Sequence, residues 1–132
     1  PSWGQFPGAV SPGYQPSNQN RQIVRATDQL ISLIDAYVAS LQPLERSNRD
    51  VRRMVDRLQD LRHEVLDLRR KAASGDFGSR LRRASRDVTK EYSDDASQAF
   101  SKMVASDSTL NSPNWMQIGE LVYRIDKSIQ GR

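Results

Sequence analysis

The sequence has no cysteine, one histidine and four glutamates among its 132 residues. Without cysteine there is no disulfide, no thiolate metal site, no cysteine nucleophile and no covalent haem attachment, and the redox compartment leaves no mark on the chain. Carboxylate-bridged metal sites in helical bundles need inward glutamates and a Glu-x-x-His pair on facing helices. Here His63 directly precedes Glu64, and it falls on the outer, polar face of its repeat as an ordinary solvated histidine. No glycine-rich phosphate loop and no Ser-His-Asp spacing of the known kinds occurs, and periodicity sets no pair of carboxylates on one inner face. The sequence is therefore expected to be non-catalytic, without metal or cofactor. No apolar run approaches the ~18 residues that span a bilayer, so no integral membrane segment is expected. There is no strand candidate either.

What is present is helical periodicity, clearest between Leu44 and Ala73. Read in sevens, this stretch puts Leu44, Val51, Leu58, Val65 and Ala72 at one seam position and Ser47, Met54, Leu61 and Leu68 at the other, with polar residues nearly everywhere between. Alternating steps of three and four make a narrow apolar seam on a long helix, and such a helix needs partners beside it. Ahead of it, the spacing predicts a helix over about 20–41 with Ile23, Thr27, Leu30, Ile34, Tyr37 and Leu41 on one stripe, widened by Val24, Ile31 and Val38. So broad a stripe faces more than one neighbour. Pro43 interrupts the amide ladder there, either as a turn with Pro43 in the first turn of a helix over 43–73 or as a kink in one long helix; the turn is favoured.

Ser74-Gly75-Asp76 reads as a stop followed by a new cap. A third helix over 77–105 carries Phe77, Leu81, Ala84, Val88, Tyr92, Ala96, Ala99 and Met103 on its stripe, with Gly78 weakening its first turn and allowing a start nearer Ser79. After a polar loop, Ser112-Pro113 supplies a capping hydroxyl and a proline at the first helical position, and a fourth helix over 112–130 presents Trp115, Ile118, Leu121, Val122, Ile125 and Ile129. The expected fold is all-α: an antiparallel up-down-up-down four-helix bundle over 21–132. Its second and third helices are about ten residues longer than the other two, so their turn should project as a two-helix tip.

Residues 1–20 hold four prolines, three glycines and no charge, which reads as a flexible tail or linker carrying Trp3, Phe6 and Tyr14. A Pro/Gly start without an initiator methionine is what a trimmed exported protein, periplasmic in a bacterium, would present.

Charge is distributed unevenly. Of 20 cations 16 are Arg, and residues 44–90 are net positive while 91–132 are net negative. At the turn between the second and third helices stand Arg69, Arg70, Lys71, Arg80, Arg82, Arg83 and Arg86, all outside the seam. The first three complement the negative end of a helix dipole. The last four lie in the opening turns of a helix, where cations oppose it. With no aromatic on the exposed stripe among them, base stacking is not expected. Two functional readings follow. The first is a non-catalytic helical bundle or coiled-coil module acting on a protein partner or on a second copy of itself. The second is a basic tip that meets nucleic acid or an anionic membrane surface, through the seven cations just named.

Overall fold

The computed structural model describes residues 17–131. The expected tail, with Trp3, Phe6 and Tyr14, lies outside the described residues. Among those described, 88% are helical and none forms a strand, so the chain is all-α. Four helices account for it: α1 (Asn18–Leu41), α2 (Arg49–Ala73), α3 (residues 79–106) and α4 (Pro113–Gln130). α3 is Ser79–Lys90 and Ser97–Ser106 joined by a π-helical stretch, Glu91–Ala96.

Local chemistry fixes most of the ends. Ser17 caps α1, its hydroxyl accepting from the Asn20 amide at 3.0 Å. Asn48 caps α2 by accepting from the amides of Asp50 and Val51. Ser112 caps α4 with Pro113 at its first position. α2 stops in the manner expected of Gly75. At φ +86° the glycine enters the left-handed region, its amide donates to the Ala72 carbonyl, and the Asp76 amide donates to that of Lys71.

α1 packs on α2 and α4, and α3 packs on the same two helices. Leu30 and Ile34 of α1, Leu58, Leu61 and Leu68 of α2, Met103 of α3 and Ile118 of α4 are among the largest fully buried side chains. Each contributes about 1.5–3 kcal/mol by leaving water. Tyr37 is buried among them with no partner for its hydroxyl among the described residues, and burial pushes its phenol up to about 12. Where α3 meets α4 the rings form a belt. Tyr92 stacks on Trp115 with centroids 4.4 Å apart, Phe100 stacks on the same indole at 5.0 Å, and Tyr123 meets Tyr92 edge-on. Gly119 makes room for this belt, since a Cβ there would overlap the Tyr92 hydroxyl and come within 2.8 Å of its Cζ.

The structure departs from the sequence expectations at two boundaries. α2 begins at Arg49, not near Pro43: residues Gln42–Leu44 form a 3-10 turn that contains the proline, and Asn48 provides the cap. Leu44 and Ser47, expected in the seam, therefore precede the helix and are exposed. Phe77, expected on the third stripe, precedes α3 and is 81% exposed. The length mismatch accordingly disappears between α1 and α2, with 24 and 25 residues, and remains between α3, whose three stretches hold 12, 6 and 10 residues, and α4 with 18. The turn after α2 is also not left without neighbours. The Asn20 side chain, 5% exposed, donates to the carbonyls of Ala72 at 3.1 Å and Asp76 at 2.8 Å, and Ala72, Leu81 and Ala84 are buried.

Candidate functional site: the basic turn end

Of the seven cations read from the sequence, Lys71, Arg80, Arg83 and Arg86 come together. With Ser79 they line an open cleft of about 380 Å³ between the last turn of α2 and the first turns of α3. Helical spacing accounts for the grouping, since Arg80, Arg83 and Arg86 recur every third residue and so share one flank of α3. The other three are placed differently. Arg69 turns to α1, where its Nε donates to Asp28, which raises its pKa further above the ordinary value. Arg70 pairs with Asp67 in its own helix and points largely into solvent. Arg82 is exposed outside the cleft lining, and its carbonyl accepts from the Gln130 amide.

Neutralisation at this end is incomplete. Lys71 meets Asp67 at 2.7 Å, Arg80 is 3.9 Å from Asp76, and Arg86 reaches the Gln130 oxygen at 3.5 Å. The guanidinium groups of Arg82 and Arg83 have neither a hydrogen bond nor an ion pair among the described residues. Beneath them α3 opens on Gly78, at φ +66°, without a side-chain cap and without an acidic residue in its first turn. The positive end of the helix dipole and the arginines thus add their fields instead of cancelling.

Sequence reasoning missed two features here. One is Phe77, an exposed aromatic in the connection between α2 and α3; Gly78, immediately after it, was the signal that the helical stripe does not reach that far. The other is a polar joint between α3 and α4. Buried Ser85 donates to Asp126 at 2.7 Å, and Gln130 bridges Asp126 and the Arg82 carbonyl. A serine on the inner stripe between Ala84 and Val88 was its only trace.

Elsewhere the charge is mixed or acidic. Arg49, Arg52, Arg53 and Arg57 share an outer cleft of α2 with Asp56 and Asp60. Glu64, Asp87, Glu91, Asp94 and Asp95 share one with Lys90. In the latter, burial first, then Asp95 and Asp60, raise the Glu91 carboxyl above its ordinary value. Among the described residues no group of three or more His, Cys, Asp or Glu is placed to hold a metal ion, and no helix is long and apolar enough to cross a membrane. His63 is exposed. No protein-family model matches the chain, and no curated protein and no solved structure matches it.

Proposed function

We propose that this chain is a non-catalytic helical interaction module, arranged up-down-up-down, whose working surface is the basic end at the α2–α3 turn and whose partner is anionic. The arrangement is supported by cross-helix bonds. Asp28 meets Arg69 and Asp35 meets Arg62, so a step forward along α1 is a step back along α2. Gln19 at the start of α1 reaches Ser128 near the end of α4, and Ser85 early in α3 reaches Asp126 late in α4. The turn is then the working end of a short bundle, held down by Asn20.

The observation that carries the functional reading is the convergence of Lys71, Arg80, Arg83 and Arg86 on one open cleft, over a helix start that has no cap. Arg80 and Arg83, in the opening turns of α3, stand where the dipole repels cations, which costs stability, so an external anion would relieve the conflict. Replacing Arg82 and Arg83 together by Glu should leave folding within about 0.5 kcal/mol, or slightly improve it. The same change should sharply lower the salt needed to elute the chain from a sulfated or phosphorylated matrix. An equal drop after Arg49→Glu with Arg52→Glu, in the mixed-charge cleft of α2, would show that the turn end is no special site.

A second reading, self-association, draws on the acidic cleft around Glu91, which has the charge to receive the basic end of another copy. It predicts light scattering that rises with concentration at low salt and collapses to the monomer value as salt is added.

A further inference from the structure

We infer that the basic turn end docks on an anionic lipid bilayer, with Phe77 entering the headgroup region and the surrounding cations lying over lipid phosphates. The inference rests on the function proposed above and names its partner. Phe77 is the most exposed large apolar side chain among the described residues. It sits in a five-residue connection between two glycines of positive φ, Gly75 and Gly78, which keep it out of both helices. Arg70 and Lys71 precede it and Arg80 and Arg83 follow it in sequence, with Asp76, 3.9 Å from Arg80, the one acid between them, so the ring belongs to a connection flanked by an excess of positive charge. An apolar group that enters the interface together with Lys and Arg over the headgroups is how peripheral proteins hold an anionic membrane.

Nucleic acid suits this surface less well. Single strands are held in grooves by successive stacking platforms, whereas the connection offers one ring and the cleft beside it has no other. A duplex held by phosphate contacts alone would give the phenyl ring no role. No helix among those described can cross a bilayer, so attachment would be peripheral. With one ring and a handful of cations it would also be reversible and sensitive to salt.

The test uses the full chain in vesicle flotation. Vesicles of phosphatidylcholine with about a quarter phosphatidylglycerol are set against pure phosphatidylcholine vesicles, and a short oligothymidylate serves as the competing probe. The expected result is binding to the anionic vesicles only, weakened about fivefold or more by Phe77→Ala and restored by Phe77→Trp, with the melting temperature unchanged. Reversal of Arg82 and Arg83 should weaken it further, by roughly fivefold per cation. Absence of vesicle binding, a preference for the oligonucleotide, or vesicle binding indifferent to Phe77→Ala would overturn the bilayer inference and leave the proposed function standing. Binding to either probe that is indifferent to the arginine reversals would remove the proposed function itself.

Discussion

Phe100 and Phe77 are the same residue treated in opposite ways by two regions of one molecule. In the belt between α3 and α4, Phe100 lies flat on Trp115 and packs against the core. At the turn end, Phe77 stands in solvent. Hydrophobicity does not distinguish them; helical phase does. Phe100 is in the regular part of α3, on a flank that α4 covers, whereas Gly78 separates Phe77 from the same helix. The polar groups follow the contrast. Beside Trp115, α4 opens on a serine cap and a proline, while beside Phe77, α3 opens with no cap and three arginines in its first five residues. One region is built for cohesion, and the other leaves Phe77 in solvent and the guanidinium groups of Arg82 and Arg83 without a partner among the described residues.

The widest separation between the regions is expected on truncating their rings. Trp115→Ala should cost about 3–5 kcal/mol in urea unfolding, because the indole supports both Tyr92 and Phe100, whereas Phe77→Ala should stay within about 0.5 kcal/mol. Comparable losses would mean that the turn end is packed as firmly as the belt. A smaller loss, about 1–3 kcal/mol, is expected for Gly119→Ala, which overfills the belt against Tyr92. Adding Tyr92→Phe should recover part of it, since the hydroxyl is the nearest atom; no recovery would place the conflict elsewhere.

Asn20→Ala tests the fastening of the turn end. The buried amide donates to two carbonyls, so about 1–2 kcal/mol should be lost, and amide exchange should quicken at residues 74–81 before it does around Val88. Uniform quickening would show that the turn end opens only with the rest of the helices. The smallest effect concerns Glu91. Its raised carboxyl pKa means that the folded chain keeps the proton to higher pH than the unfolded chain. Its contribution is therefore fullest below the ordinary carboxylate value and is lost as pH rises through the raised one. Glu91→Gln should raise the melting temperature modestly at neutral pH and not in acid; a loss at neutral pH would reverse the sign of that reading.

Much of the helical content was legible because it rests on steps of three and four, and every seam residue of α2 from Val51 to Ala72 is buried. Where the arithmetic outlasted the helix it misled. Leu44 and Ser47 keep the heptad count, yet Asn48 takes the cap and leaves them outside. Phe77 repeats the error beyond the other end of α2. Asn48 with Asp50 behind it was the local signal that should have outweighed periodicity, whereas Gly78 had already pointed to a start nearer Ser79, which is where α3 begins. At the candidate site, the sequence indicated that the cations avoid the seam but not their fates. Arg69 and Arg80 look alike in a helical projection, and only the position of α1, with Asp28 on its flank, commits the first and leaves the second at the cleft.

The π-helical stretch of α3 has a consequence for how this chain can change in length. From Val51 to Ala72 the seam of α2 alternates strictly between steps of three and four. From Leu81 to Met103 α3 takes the same number of steps but sets three fours in succession, through Ala84, Val88, Tyr92 and Ala96. It therefore uses one residue more, and Glu91–Ala96 is where the wider turn absorbs it. A helix with its surplus residue gathered in one turn has a joint at which a deletion restores regular winding, whereas the same deletion anywhere else would rotate half its contacts off the core. The basic half of α3 and the belt half are thus joined at the one place where losing a residue would leave the face of each on the core.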